Sequence, residues 1–172
     1  MVTRVRRATG AVVLAGILAG LAACSASPTA SAPEYSVRDR AGRRVSMEDL
    51  RGRPALLTSW ATWCKECKTL LPELERLHEE QGADGVRVVA VNINAPGSEG
   101  DVVALEQEYG MAMARWRDTD NEFSQAFRTR GVPTSVLVDA DGVVVRRWPG
   151  GVATDDPATR RLMKRVLRGA RS

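Results

Sequence analysis

The stretch from Ala55 to Leu77, ALLTSWATWCKECKTLLPELERL, narrows the possible folds more than any other part of the chain. Its first six residues, Ala55–Trp60, form an apolar run of strand length, the pattern of a central strand buried on both faces. From Cys64 to about Gln81 the apolar residues Leu70, Leu71, Leu74 and Leu77 recur at helical spacing and stop near Gly82. VRVVAVNI (Val86–Ile93) then reads as a second buried strand. Strand, helix, strand in this order begins an α/β fold.

The rest of the chain extends that reading. Glu34 to Arg53 suggests two short strands joined near Ala41-Gly42, a turn at Met47–Leu50, and Gly52. After PGSEGD, with a helix start at Ser98 or Asp101, VVALEQEY reads as a helix stopped by Gly110. ARWRD is a short strand, and NEFSQAFRTR a short helix ending at Gly131. TSVLVDADGVVVRRW predicts a β-hairpin turning at Asp141-Gly142. ATRRLMKRVLRGA is an amphipathic helix, apolar at Leu162, Met163, Val166 and Leu167 and basic at Arg160, Arg161, Lys164, Arg165 and Arg168. There is no internal repeat. The hairpin contributes an antiparallel strand, so the sheet is expected to be mixed.

The N-terminus has a different character. MVTRVRRATG is basic, and AVVLAGILAGLAA is apolar and ends in small residues, the pattern of a secretory signal. It falls short of the roughly 20 apolar residues of a comfortable membrane span. Leu21-Ala22-Ala23-Cys24 resembles the bacterial lipobox, in which cleavage precedes the cysteine and its sulfur carries a diacylglycerol. The expected organisation is a lipoprotein signal peptide over 1–23, a lipidated Cys24 with a flexible tether over 24–34, and one domain over 35–172. SASPTASAP is small, polar and proline-bearing, and fully extended it reaches roughly 30 Å. Charge follows the same division. The formal net charge is +4, of which Arg4, Arg6 and Arg7 supply +3, leaving a mature sum of +1 (4 − 3). That is no electrostatic footprint for nucleic acid.

Three cysteines are present, Cys24, Cys64 and Cys67. Acylation of Cys24 would leave a single C-x-x-C pair, which can hold a metal, staple a loop or exchange electrons. Zinc asks for about four ligands, and the chain offers two free thiols and one imidazole, His78, 11 residues beyond Cys67 and roughly 16 Å away along a helix. As a staple, the pair closes a tiny loop that restrains the unfolded chain little. Electron exchange needs an accessible first sulfur with a stabilised thiolate and a second thiol close enough to resolve a mixed disulfide. A helix starting at Cys64 meets both needs, because unpaired N–H groups and the positive end of the dipole favour its thiolate. Cys67 then lies one turn further in.

WATWCKECKTLLPEL resembles the active-site segment of thioredoxin-fold proteins, in particular the membrane-tethered TlpA/ResA-like branch. Pro72, five residues after Cys67, matches the proline that bends the family's active-site helix. GVPTSVLVDADGVVVRRWPG matches its cis-proline segment, with Pro133 as the cis-proline and Val132 before it. The interval of 66 positions from Cys67 to Pro133 (133 − 67) leaves room for the branch's extra helix and strand, and SVRDRAGRRVSMEDLRGRP resembles its N-terminal two-stranded addition. The resemblance implies a thioredoxin fold with a central mixed sheet flanked by helices. It implies a thiol–disulfide oxidoreductase in which Cys64 attacks and Cys67 resolves. Trp63, Val132 and Pro133 would contact the substrate, and no prosthetic group would be needed.

The implied partners are cysteine-containing exported proteins, apocytochrome c among them, and a membrane thiol–disulfide electron donor. The implied place is the outer face of the bacterial cytoplasmic membrane, held by the lipid. Two departures stand out. The family's small thioredoxins carry a buried acid where this chain has Thr58, and ResA-like reductases often carry a Glu where it has Leu70. Two other functions use the same fold. A copper-carrying lipoprotein would want wider cysteine spacing and a distal His. A peroxiredoxin-like peroxidase would need a cysteine where counting from Pro54 through Thr58 reaches Ala61.

Overall fold

The computed structural model describes residues 32–170. The expected signal peptide, Cys24 and most of the expected tether lie outside the described residues. The elements are β1 (Ser36–Asp39), β2 (Arg44–Ser46), a 3-10 turn (Met47–Leu50), β3 (Ala55–Trp60), α1 (Lys65–Gln81), β4 (Arg87–Asn92), α2 (Glu99–Glu108), β5 (Ala114–Arg117), α3 (Glu122–Ala126), β6 (Thr134–Val138), β7 (Val144–Pro149) and α4 (Pro157–Gly169). One mixed sheet takes the order β2-β1-β5-β4-β3-β6-β7. β3 and β4 are parallel from Ala55↔Arg87 to Trp60↔Asn92, β4 and β5 are parallel, and β3 and β6 are antiparallel. No helix among the described residues is long and apolar enough to cross a membrane.

Side chains of a strand alternate between faces, and here both faces are covered. Leu56 and Trp60 of β3, Val88 and Ala90 of β4 and Leu137 of β6 pack under residues of α1, α2 and α4. Ala55, Leu57, Val89, Val91, Val136 and Val138 pack on the opposite face with Met47, Leu50 and an aromatic group. That group is Tyr35, Trp116, Phe123 and Phe127, with ring centroids 5.2 Å apart for Tyr35–Phe127 and 4.6 Å for Phe123–Phe127. Coverage on both sides is why β3 is buried at every residue and β4 at all but its first.

Strand boundaries agree with the sequence reading to within a residue or two. One helix differs. α3 ends at Ala126, well short of Gly131. Phe127 turns into the aromatic core, Arg128 takes a left-handed φ of 51°, and the Thr129 N–H reaches back to the Ser124 carbonyl at 2.9 Å, so the helical ladder stops there. At the N-terminal end, Ala32 lies against the hairpin turn, its Cβ 3.0 Å from where a Cβ on Gly142 would stand. That turn is at the end of the sheet where β3 begins, because Val138 pairs with Ala55.

Tyr35 ties β1 to this core. Its buried hydroxyl donates to Asp118 Oδ2 at 3.1 Å, and Asp118 also accepts the Glu122 and Phe123 N–H groups at 2.9 and 2.7 Å. Burial, and then the Asp118 carboxylate, push the phenol's pKa far above the usual tyrosine range. A raised folded-state pKa means this stability is fully present below the unfolded value near 10 and is lost as pH climbs above it. Unfolding followed by denaturant titration is expected to weaken steeply above about pH 10 in the wild type, and Tyr35→Phe should remove that component.

Candidate active site

α1 begins where the strand β3 runs out. Cys64, in extended conformation (φ −88°, ψ 112°), is its N-cap, and the Cys67 N–H points at Cys64 Sγ at 3.1 Å. A cysteine thus stands where Ser or Asp usually caps, and its sulfur takes one of the helix's orphan donors. Cys64 and Cys67 are joined as a disulfide with Cα atoms 5.3 Å apart. Cys64 is 4% exposed and Cys67 is fully buried. The order of access follows the helix turn, but in this oxidised form the first sulfur is far more enclosed than an open nucleophile would be. Trp63, immediately before it, is 68% exposed and projects its indole into solvent.

The Val132–Pro133 peptide bond is cis. Pro133 is buried, Val132 is half-buried against the core cluster to which both cysteines belong, and the Pro133 carbonyl accepts the Gly150 N–H at 3.0 Å. Gly151 closes the same corner. A Cβ on it would stand 2.5 Å from Leu70 Cδ2 and 3.3 Å from Pro133 Cγ, and its φ of +92° disfavours any side chain. Leu70 of α1 and Pro133 of the β6 entry therefore meet across Gly151. Trp60 is buried at the end of β3, Trp116 belongs to the aromatic core, and Trp148 is half-buried.

The two positions where related proteins carry acids are filled without charge. Thr58 Oγ1 shares a hydrogen bond of 2.8 Å with Ser135 Oγ, its register partner on β6, and Ser135 Oγ accepts the Val152 N–H at 3.1 Å. Leu70 fills the other position with an apolar side chain. The buried carboxylates among the described residues are engaged elsewhere. Glu106 holds Arg117 at 2.6 Å, Asp118 holds Tyr35 and the start of α3, and Glu75 accepts the Met113 N–H at 3.2 Å. Among the described residues, no three of His, Cys, Asp and Glu gather into a group able to hold a metal ion. Ala61, where a peroxidatic cysteine would fall, is a buried methyl group.

A cysteine pair at a helix start, beside a cis-proline on a thioredoxin fold, defines a thiol–disulfide oxidoreductase. More particularly, the chain belongs to the AhpC/TSA family, whose model matches residues 28–147. It is similar to the thiol-disulfide oxidoreductase ResA of Bacillus subtilis, 31% identical over 122 residues, which are 71% of this chain and 67% of that protein. The thioredoxin-like protein YneN of the same organism is 34% identical over 114 residues, 66% of each. Among solved structures, a protein of Chlorobium tepidum assigned as the thiol:disulfide interchange protein DsbE superposes with a TM-score of 0.70 at 26% identity, covering 80% of this chain and 95% of that one. A Neisseria meningitidis thioredoxin-type protein gives 0.68 at 27%, covering 80% and 89%.

Sequence reasoning missed the residues that hold the loop before Cys64. Asn92, the last residue of β4, and Asn94 just beyond it are buried; Asn94 bonds to Thr62, and Asn92 bonds to Asn94. The only signal was two asparagines closing an otherwise apolar strand. The Gly151 corner gives the first functional test. Gly151→Ala should displace Leu70 and the Pro133 loop, costing about 1–3 kcal/mol in thermal unfolding and slowing disulfide reduction. A variant with unchanged Tm and rate would mean the corner is slack.

Proposed function

We propose that the protein reduces disulfides of exported proteins, with Cys64 as the attacking thiolate and Cys67 as the resolving thiol. The observation that carries this reading is the Cys67 N–H directed at Cys64 Sγ from the first turn of α1. On reduction the same donor meets a thiolate, and charge-assisted hydrogen bonds are about twice as strong as neutral ones. Cys67 has no comparable donor on its sulfur among the described contacts and lies deeper, which suits a thiol that waits.

The reaction balances as a two-electron exchange. Cys64 thiolate attacks one sulfur of the substrate disulfide, that S–S bond breaks, and the departing sulfur takes a proton. Cys67 loses its proton, attacks Cys64 Sγ and releases the second substrate thiol. The products are a substrate dithiol and the Cys64–Cys67 disulfide. A dithiol donor then reduces the pair again, and the resemblance points to a membrane thiol–disulfide transporter in that role. Trp63 offers a flat apolar surface beside the nucleophile, and the backbone before Pro133 is open to pair with an extended substrate segment. Thr58 and Leu70 supply no internal carboxylate for the Cys67 proton.

The same reading places the domain outside the cytoplasmic membrane, tethered through residues 24–34 by an acylated Cys24, with the thiols of apocytochrome c among the substrates. Its support is the leader pattern and the likeness to ResA. Two acyl chains or more are needed for stable anchoring at about 0.8 kcal/mol per buried CH₂.

Replacing Cys67 with Ser should trap substrates on Cys64 as mixed disulfides that run as high-mass bands until dithiothreitol is added. An empty trap, while the wild type still cycles its partners, would reverse the assigned roles. Cys24→Ala should abolish acyl labelling and move the protein from the membrane to the soluble fraction.

A further inference from the structure

The parallel ladder between β3 and β4 ends in an unusual way. Its last backbone bond runs from the Ile93 N–H to the Trp60 carbonyl at 2.9 Å. Parallel strands bond through alternate residues, so the next donor on this side is the Thr62 N–H and its regular acceptor would be the Ile93 carbonyl. Thr62 bonds instead to a side chain, Asn94 Oδ1, at 2.9 Å. Asn94 Nδ2 returns a bond of 2.7 Å to Thr62 Oγ1. Asn92 braces the amide, with its Nδ2 donating to Asn94 Oδ1 at 2.9 Å and its Oδ1 accepting the Asn94 N–H at 3.3 Å. Because a backbone N–H can only donate, the oxygen of Asn94 must face Thr62, which fixes the orientation of the whole network.

The arrangement has a geometric effect. A side chain carries the rung that a backbone carbonyl would otherwise carry, so β3 can leave the sheet after Trp60 and still be held. The chain then turns within four residues, and the Cys64 N–H bonds back to the Ala61 carbonyl at 3.1 Å. Thr62 is pinned from the sheet, Trp63 is thrown outward, and Cys64 arrives as the cap of α1. Asn92 and Asn94 are 2% and 5% exposed, so water competes poorly for these bonds. Neither side chain makes a hydrogen bond to a sulfur.

We propose that Asn94 is a positioning residue of the redox site: by replacing a backbone rung, it sets Cys64 in line with the Cys67 N–H and holds Trp63 outward. The inference rests on Cys64 being the attacking thiolate. Its consequence is that losing Asn94 impairs thiolate formation and attack out of proportion to any loss of fold stability.

The test uses the reduced full-length chain in a Cys24→Ala background, which leaves Cys64 and Cys67 as the only thiols. Iodoacetamide alkylation is followed from acid to alkaline pH, with thermal unfolding measured alongside. Asn94→Ala should shift the midpoint of the fast thiolate upward and slow alkylation at neutral pH about tenfold. Thr62→Val keeps the rung and removes only the returned bond, so its shift should be in the same direction and smaller. A folded Asn94→Ala chain with a lower Tm but the wild-type midpoint and rate would overturn the proposal. If Asn94→Ala does not fold, Thr62→Val decides, and a wild-type profile there overturns it equally. A Cys64→Ser control separates the two readings: if the fast thiolate survives it, the assignment of Cys64 falls and the proposal falls with it.

Discussion

Every backbone polar group in the middle of β3 is claimed by one of two neighbours, β4 on one side and β6 on the other. All six of its residues are buried, so no water is available to satisfy those groups, and the pairing is obligatory. This constraint fixes where the strand must end and where the chain first escapes. The redox site is built at that escape point. β3 leads toward Cys64 at the start of α1, the end of β4 and the residues just after it supply the asparagines that release and hold the turn, and Pro133 stands at the entry to β6. Three neighbouring strands thus each contribute one part of the site, which is why it needs no long loops.

The active-site helix shows how packing and chemistry share one element. α1 buries Cys67, Leu70, Leu71, Leu74 and Leu77 against the sheet, and this stripe sets the rotation of its first turn. Pro72 lies inside the helix and forgoes one ladder bond. The capping cysteine is therefore oriented by core contacts several residues away, and Leu70 connects that core to the Gly151–Pro133 corner.

What could be read from the sequence were the features with a local or periodic cause. Ala55–Trp60 is mostly apolar because both faces of β3 are covered, and the leucines of α1 repeat because one face of the helix is. The Asp141-Gly142 turn announces the hairpin by its φ requirement, 78° at Gly142. Features that depend on distant partners left no such mark. Tyr35 and Asp118 are 83 residues apart, and Thr62 and Asn94 are 32 apart. The early end of α3 was hidden for the same reason: Phe127 leaves the helix to reach an aromatic group assembled from three separate segments.

The contact between Ala32 and the hairpin turn has a consequence for reach. The polypeptide enters the domain at the end of the sheet where β3 starts, and Cys64 sits beyond the end where β3 finishes. Six strand residues at about 3.3 Å each make a separation of about 20 Å, and that distance is rigid. A floppy linker gains extension only by surrendering conformational freedom, roughly 1–2 kcal/mol for each residue it straightens. Here the folded sheet is itself the spacer, so the distance between the entry of the chain at Ala32 and the point of electron exchange is covered with no further loss of entropy.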